Sequence, residues 1–582
     1  MQLHLFFMKK ILLLAIVICS VFFVQAQHAV PKGWHLMSYA KDSFYGINLD
    51  KAYQFLKEKN IKSKTVLVAV IDSGVDTLHE DLKNILWHNA KEIPNNKIDD
   101  DHNGYTDDVY GWNFIGGKDG SLLKKAGEER TRVYHRFKSQ FENITDTASL
   151  SAEDKYHYDM WKKAAAGLNL SADDQAEIAF MDAFLKSLKR QDKIICDEMG
   201  VKEYTCEQLE KFTPSSQDGR NAKFGYLTSM KMAGIEPDMK NTTLLEELQN
   251  EVDGKKEVLT AKDNAPHNYR ADIIKDDYND INDKFYGNND VMGPGPMHGT
   301  HVTGIIAAQR NNGIGMNGVA DNVKVMMIRA VPDGDEYDKD IALAIFYAVD
   351  NGAKVINMSF GKAFSPEKKW VDSAVRYAQS KDVLLVHAAG NEGENVDEKD
   401  NYPSPFMLYT KKEVNNFITV GASGDPRIGN GSLAAPFSNY GKNTVDIFAP
   451  GVKIYSTVPG GNQYANEQGT SMASPVVAGL AALVRSYFPD LTAAQVKQVI
   501  MQSAAAPEVS MKVIKPGSKD ELTTMSELCK SGGIADAAGA VAAAYTMEQS
   551  LHHQQEKKVE KLPKSSFQKA KTNQSVSYTH LR

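Results

Sequence analysis

GTSMASP, at residues 469–475, is the stretch around which the rest of the chain is arranged. A turn of small residues leads directly into a segment rich in Ala, Val and Leu that continues to Phe488, which predicts a buried helix with Ser471 in its first turn. Unpaired backbone N–H groups and the helix dipole favour negative charge there, so a nucleophilic hydroxyl and the oxyanion it forms would be stabilised. A serine that only caps the helix is the alternative. A base and an orienting carboxylate elsewhere in the chain decide between the two interpretations.

Composition limits the class of protein. The 582 residues are 42% hydrophobic and 24% charged, as in a soluble globular protein with a large core. The formal net charge of -7 argues against a general nucleic-acid binder, so we expect no nucleic-acid partner.

The N-terminus has the pattern of a secretory signal peptide. Lys9 and Lys10 precede an apolar run over residues 11–24, and Ala26 offers a small-residue cleavage site. A membrane anchor is the alternative, but the run is short for a bilayer span. The pattern predicts a signal peptide over residues 1–26, a secreted or cell-envelope location, and no stable transmembrane segment after its removal.

Three cysteines remain after that cleavage: Cys196, Cys206 and Cys529. Export permits a disulfide between Cys196 and Cys206, yet their short separation in a helical pattern is equally compatible with free thiols. Their spacing matches no metal-binding or redox motif.

A carboxylate follows the first strong strand signal. Residues 65–71 (TVLVAVI) form a nearly continuous apolar run, typical of a strand buried on both faces of a parallel sheet. The run ends at Asp72, where α/β folds place ligands and chemistry. An Asp that only caps a loop is the alternative.

An acidic loop has the spacing of a cation site. Oxygen-bearing side chains recur at Asp99, Asp101, Asn103 and Asp107, with Gly104 at the sixth position. This order favours calcium over a solvated acidic turn, although the terminal Glu of an EF-hand is missing.

A candidate base lies in HGTH at residues 298–301. The small residues around it predict the start of a closely packed helix, and His298 can accept and return a proton near neutral pH. We interpret His301, one turn further along, as structural. The spacing of a zinc-protease motif is absent.

Strand patterns at 323–331, 354–358, 383–388 and 417–420 alternate with helical patterns at 340–349 and 367–379. This alternation predicts an α/β fold with a doubly wound parallel sheet, whose strand ends share one rim. Two loops reach that rim, and an extended peptide could pair with them as an added strand. Their residues are Ser359, Phe360 and Gly361 in the first loop and Ala388, Ala389, Gly390 and Asn391 in the second.

Four motifs, DSG at 72–74, HGTH at 298–301, AGN at 389–391 and GTSMA at 469–473, together resemble the subtilisin family of serine proteases (subtilases) in identity and order. The resemblance covers residues 47–118 and 285–505. It implies a serine endopeptidase acting on protein or peptide substrates.

The resemblance also implies a role for each motif. Ser471 would be the nucleophile, His298 the base and Asp72 the residue that orients the imidazole, while Asn391 would bind the oxyanion. The two rim loops would line the substrate cleft.

Family features outside the triad are implied as well. A structural calcium site would use Asp81 and Asn312, the latter preceded by one residue more than the family usually has. The Asp99–Asp107 loop is the second calcium candidate. A cis peptide is expected at Tyr402–Pro403.

The predicted domain organisation places a helical insertion within the catalytic domain. After residues 1–26, the segments are 27–118, the insertion 119–284, the rest of the catalytic domain 285–510, an extension 511–549 and a disordered tail 550–582. Gating of substrate access is one interpretation of the insertion, and docking of a partner is another. Residues 27–64 are too few for the family's usual pro-domain, and residues 576–582 resemble a translated sequencing adapter, so we expect an incomplete C-terminus. A binding protein that has kept the fold but lost the chemistry is the alternative function.

Overall fold

The computed structural model describes residues 30–560 except 234, 236–238, 429–431 and 507–510. The predicted signal peptide at 1–26 and the tail residues 561–582 lie outside the described residues.

The centre of the molecule is a seven-stranded parallel sheet with strand order β2-β3-β1-β4-β5-β6-β7. Because β3 and β4 flank β1 on opposite sides, the strand order reverses next to β1, and such a switch point opens a crevice at the strand ends. The strands are β1 (Val66–Asp72), β2 (Gly111–Asn113), β3 (Val323–Arg329), β4 (Val355–Met358), β5 (Leu384–Ala388), β6 (Phe417–Ser423) and β7 (Ile447–Pro450). Two antiparallel pairs lie outside the sheet: β8 (Ile454–Val458) with β9 (Gln463–Glu467), and β10 (Val513–Ile514) with β11 (Leu522–Thr523).

The apolar run of β1 packs into two different cores. Val68 and Val70 belong to the hydrophobic cluster on one face of the sheet, and Ala69 and Ile71 belong to the cluster on the other. Since successive side chains of a strand point to opposite faces, a strand covered on both sides must be apolar at every position. The prediction of a doubly wound α/β sheet is confirmed.

Helices cover both faces of the sheet, and most of those within residues 119–284 form hydrophobic clusters of their own. They are α1 (Tyr39–Asp42), α2 (Leu49–Glu58), α3 (Glu129–Phe141), α4 (Ala152–Gly167), α5 (Ala172–Met199), α6 (Cys206–Lys211), α7 (Gln217–Ala233), α8 (Asn241–Thr260), α9 (Tyr269–Ile273), α10 (Met297–Ala307), α11 (Asp338–Asp350), α12 (Lys368–Ser380), α13 (Thr470–Tyr487), α14 (Ala493–Gln502), α15 (Met525–Leu528) and α16 (Ala537–Glu560). Helices α10 and α13, which carry the HGTH and GTSMA motifs, pack against each other on one face. Helices α11 and α12 pack together on the opposite face.

Helices α3–α9 lie between residues 119 and 284, where the sequence predicts a helical insertion. They enclose two hydrophobic clusters separate from those of the sheet. The cluster formed by α3 and α4 includes Phe364, which follows β4, so this part of the insertion packs directly on the sheet domain.

The C-terminal part differs from the sequence-based expectation. Residues 550–560, expected to be disordered, continue α16, whose N-terminal half is apolar and buried against α2 and α14. Helix α14 is followed by α15 and α16. The three cysteines beyond the predicted signal peptide, Cys196, Cys206 and Cys529, are free thiols. Within residues 30–560 as described, no helix is both long enough and apolar enough to cross a membrane.

Candidate active site

The structure places the predicted acid and base in contact. Asp72 is the last residue of β1, and His298 lies in the first turn of α10. The Nδ1 atom of His298 is 2.7 Å from Oδ1 of Asp72, which also accepts the N–H of Ser73 at 2.7 Å. Close approach of the helix requires glycine beside the histidine, because a Cβ on Gly299 would lie 2.1 Å from the carbonyl oxygen of Gly74. Asp72 is 1% exposed, whereas the side chain of His298 is 39% exposed, so the imidazole is the accessible member of the pair.

Two opposing effects determine the pKa of His298. Burial lowers the pKa. The charge of Asp72, its hydrogen bond and the charge of Glu467 together raise it by more, so the pKa lies above its ordinary value of 6.5. His301 has no such carboxylate among its influences, and burial lowers its pKa to about 3. Its Nε2 atom lies 3.3 Å from the carbonyl oxygen of Ala465, in a fully buried position. His301 is therefore a neutral core residue, and His298 is the histidine suited to exchange protons.

Ser471 lies in the first turn of α13, as the GTSMASP stretch predicts. Its hydroxyl donates to the carbonyl oxygen of Ser359 at 3.1 Å, and the hydroxyl of Ser359 donates to the carbonyl oxygen of Ser471 at 2.9 Å. Asn357 donates to the Ser359 hydroxyl and accepts a hydrogen bond from Ser474 at 2.8 Å. These bonds fix the start of α13 against the end of β4. The sequence offered no specific signal for the parts played by Asn357 and Ser474.

Asn391 contacts the residue that precedes Ser471. Its Oδ1 atom accepts hydrogen bonds from the backbone N–H and the hydroxyl of Thr470, at 2.8 and 3.0 Å. With its oxygen held in this way, the amide N–H groups of Asn391 remain as donors. The hydroxyl of Thr470 also accepts the N–H of Gly390, whose φ of 99° places it in the left-handed region where glycine is favoured. Thr470 is thus a positioning residue that the motif comparison did not single out.

A cleft of about 680 Å³ contains Ser471 and Asn391. Four of the six predicted substrate-binding residues line it: Phe360, Gly361, Ala388 and Gly390. The other two face inward. Ser359 is 3% exposed and bonds to Ser471 as described above, and Ala389 is fully buried, with its carbonyl oxygen accepting the side-chain amide of Asn401 at 2.8 Å. The peptide bond at Tyr402–Pro403, beside this loop, is cis as expected.

Helices of the insertion form part of the same cleft. Its lining includes Glu128, Arg130, Lys163 and Gly167, all from the predicted insertion. Periodicity predicts helices there but cannot show which of their residues face a distant serine, so these four lining residues could not be identified from the sequence.

The first calcium candidate is a fully buried carboxylate. Asp81 accepts hydrogen bonds from the amide of Asn312 at 2.5 Å, from the N–H of Met316 at 3.2 Å and from the hydroxyl of Tyr464 at 3.1 Å. Calcium prefers oxygen ligands such as carboxylates and amide carbonyls, and Asp81 and Asn312 carry one of each kind. The two residues, distant in sequence, are adjacent, with the amide nitrogen of Asn312 facing the carboxylate.

The acidic loop is arranged differently from the expected ligand order. Asp99 and Asp101 approach Glu92, with one ligand oxygen from each of the three within 4.8 Å of the others. The carboxylate of Asp107 instead accepts the N–H groups of Asn96 and Lys97, at 3.2 and 2.8 Å.

Asn103 also departs from that order. Its side chain accepts the N–H of Tyr105 and donates to Asp108. Glu92 was missed because it lies outside the alternating pattern and reaches the loop only through the fold.

Comparison with known proteins is consistent with this geometry. A family model described as "Subtilase family" matches residues 63–526. The thermophilic serine proteinase of Bacillus sp. (strain AK1) is 42% identical over 208 residues, which are 36% of this chain and 46% of that protein. The cell wall-associated protease of Bacillus subtilis (strain 168) is 32% identical over 325 residues, 55% of this chain and 33% of that protein. Subtilisin BL of Lederbergia lenta is 38% identical over 213 residues, 36% of this chain and 71% of that protein. The chain thus spans less than half the length of the first two relatives.

Proposed function

This chain belongs to the subtilase family, and from that membership we propose that it is a serine endopeptidase that hydrolyses peptide bonds in protein or peptide substrates. The observation that carries the proposal is the contact between His298 and Asp72 at 2.7 Å, with the helix of His298 packed on the helix of Ser471. A binding protein that had lost the chemistry would not need to retain this buried acid beside a part-exposed imidazole.

In the proposed mechanism, the Ser471 hydroxyl leaves its acceptor on Ser359 and attacks the substrate carbonyl carbon. His298 takes the hydroxyl proton as the bond forms and returns it to the leaving amine. Asp72 holds the imidazole by Nδ1, which leaves Nε2 for the proton transfer, and its charge stabilises the imidazolium. Water then repeats the sequence on the acyl-enzyme and releases the second product.

The negative charge on the substrate oxygen needs donors that are fixed before the reaction. Asn391 is suited to this role because Thr470 holds its oxygen and leaves its N–H groups free to donate. The backbone N–H of Ser471, in the first helical turn, is the proposed second donor. Substitution of Asn391 by Leu is expected to reduce kcat by about 10²–10³-fold.

Hydrolysis of a quenched fluorescent peptide by the purified protein tests the proposal. We expect turnover by the wild type and a loss of about 10⁵-fold or more in Ser471→Ala. Ser486→Ala, a change in the same helix far from the cleft, is the matched control and should retain activity. Undiminished hydrolysis by Ser471→Ala would refute the mechanism.

Calcium is the proposed structural cofactor. Asp81 and Asn312 would hold one ion, and Asp99 and Asp101, joined by Glu92, would hold a second. Bound calcium would neutralise clustered carboxylates and cross-link loops that are far apart in sequence. We assign it no step in the reaction.

We also propose that the protein is exported from the cell. The N-terminal pattern predicts cleavage after Ala26 and release to the cell envelope or the medium. Mass spectrometry of protein recovered from the medium or envelope of an expressing bacterium would show a mature N-terminus at Gln27. Recovery of only the uncleaved chain from the cytoplasm would contradict export.

A further inference from the structure

The cleft that contains Ser471 is strongly charged. Its lining holds five carboxylates, on Glu128, Asp335, Glu392, Glu394 and Asp400, and four cations, on Arg130, Lys163, Lys362 and Lys399. The ammonium of Lys362 is already balanced outside the cleft, since it contacts the buried carboxylates of Glu129 at 2.8 Å and Asp338 at 2.9 Å. Five carboxylates therefore face three cations, which leaves an excess of two negative charges.

One of the two excess negative charges lies at Glu128 and Asp335, beside the start of the insertion helix α3. Glu128 pairs with Arg130 at 2.9 Å, while Asp335 accepts the N–H of Glu129 at 2.6 Å. The two carboxylates are close enough to interact: burial raises the pKa of Glu128, and the charge of Asp335 acts in the same direction. Arg130 pairs with Glu128, and its second N–H contact goes to the carbonyl oxygen of Gly167. Arg132 reaches Asp335 at the backbone carbonyl oxygen, at 3.0 Å, and its side chain pairs with Glu129.

The other charged residues of the lining leave an equal excess of one negative charge. Lys163 and Asp400 form an ion pair at 2.8 Å. Glu392, next to the proposed oxyanion residue, accepts the side-chain amide of Asn439 at 2.6 Å. Glu394 lines the same wall, and Lys399 is the cation that partly balances these two carboxylates.

We propose that this endopeptidase prefers peptides with a lysine or arginine near the scissile bond, and that Glu128 of the insertion and Asp335 are the specificity-determining residues that bind this basic side chain. The inference rests on the proposed function and names the substrate class of the same cleft. A cationic side chain placed between Glu128 and Asp335 would reduce the repulsion between them and supply the missing positive charge. The insertion would then act in substrate selection and not only in packing.

Fluorogenic peptides that differ at one position test this preference. Each of the four positions before the scissile bond would carry Lys, its uncharged analogue norleucine, or Glu, and kcat/KM would be measured at low and high ionic strength. At one or more positions we expect kcat/KM for Lys to exceed that for norleucine by about fivefold or more at low salt, with Glu the poorest of the three. The ratio should fall as salt is added, because part-exposed ion pairs are screened.

Substitutions test whether Glu128 and Asp335 cause the preference for a basic side chain. Glu128→Gln with Asp335→Asn should reduce the Lys-to-norleucine ratio to below about twofold, mainly through KM for the Lys peptides. Glu142→Gln removes one carboxylate from the exposed C-terminal end of the same helix, outside the cleft lining, and should leave the wild-type ratio unchanged. If the double variant does not fold, Asp335→Asn alone should lower the ratio in the same direction.

Two results would overturn the inference. One is a Lys-to-norleucine ratio of one or less at all four positions in the wild type, and the other is a basic preference that the Glu128 and Asp335 variants leave intact. Cleavage without a charge preference would remove this inference and leave the proposed function standing. A folded protein that neither cleaves a peptide nor reacts with a fluorophosphonate would remove both.

Discussion

At the scale of single residues, the proton affinity of His298 depends mainly on its contact with Asp72. Burial alone would lower its pKa, as it does for His301, where the pKa is about 3. The carboxylate of Asp72, with a smaller contribution from Glu467, reverses the direction and raises the pKa of His298 above 6.5. A base must be neutral to accept a proton, so hydrolysis should decline as the pH falls through this raised pKa.

Asp72→Asn tests that dependence. Without the carboxylate, the largest influences that raise the pKa of His298 are lost, so the acid limb of the kcat/KM profile should move to lower pH. The rate on the plateau should fall by about 10³–10⁴-fold, because the amide no longer fixes the tautomer or stabilises the imidazolium. Asp50→Asn, the same change on the exposed surface, should alter neither. An acid limb at the wild-type pH in Asp72→Asn would contradict the proposed role of Asp72.

The residues that carry the proposed chemistry were easier to predict than those that support them. Asp72, His298 and Ser471 each stand in a short motif with glycine close by, since the backbone approaches closely there, as at Gly299. Thr470 and Glu92 act through contacts made only in the folded chain. A polar residue that bonds across the fold has no local pattern, so sequence spacing could not identify it.

At the scale of elements, the insertion is joined to the sheet domain by a buried charge. Lys362 directly follows the cleft residue Gly361 and contacts Glu129, the first residue of α3. It also contacts Asp338, the first residue of α11. Burial lowers the pKa of Lys362, but the two carboxylates outweigh it and raise the pKa, so the ammonium stays charged. This ion cluster holds the insertion beside the cleft.

Lys362→Met should therefore destabilise the protein strongly. It removes the cation from two buried carboxylates, which costs about 3–5 kcal/mol in the free energy of unfolding. Lys163→Met also breaks a contact between the insertion and the sheet domain, but its pair with Asp400 is 41% and 52% exposed and should contribute less than about 1 kcal/mol. Urea unfolding measures both variants. An equal decrease in the free energy of unfolding in the two variants would show that the buried ion cluster does not hold the insertion in place.

Strand prediction succeeded where the element was long and buried on both faces. Strands β1, β3, β4, β5 and β6 fall within or close to the apolar runs in the sequence. Strand β2 has three residues, Gly111–Asn113, and β7 ends at Pro450, so neither carries a run long enough to stand out. Both lie at the edges of the sheet, where only one neighbouring strand is needed.

At the scale of the whole molecule, calcium should link distant parts of the chain. Asp81 lies after β1, and its buried carboxylate accepts hydrogen bonds from Asn312, which follows α10, and from Tyr464, which belongs to β9. The spacing of the acidic residues could be read from the sequence. The hydrogen bonds that Asp81 accepts, and those that turn Asp107 toward Asn96 and Lys97, could not. Such contacts depend on how loops pack after the sheet has formed.

Removal of calcium should lower the Tm of the wild type by several degrees. An ion present at about 100 times its Kd stabilises the folded state by about 2.7 kcal/mol. Asp81→Asn should lose part of the calcium-dependent increase in Tm, and Asp99→Asn with Asp101→Asn the remainder, while Asp50→Asn retains all of it. An unchanged response to a chelator and to added calcium in both site variants would contradict the assignment.

Covalent labelling of the nucleophile tests the central claim, that Asp72 and His298 activate Ser471, most directly. The full chain would be treated with a fluorophosphonate, which reacts with activated serines, and the modified residue located by mass spectrometry. We expect a single label on Ser471 in the wild type, none in Ser471→Ala, and a greatly slowed reaction in His298→Ala, with Ser486→Ala labelled as the wild type is. A folded wild-type protein that is not labelled at Ser471, or a label whose rate is unaffected by the loss of His298, would contradict it.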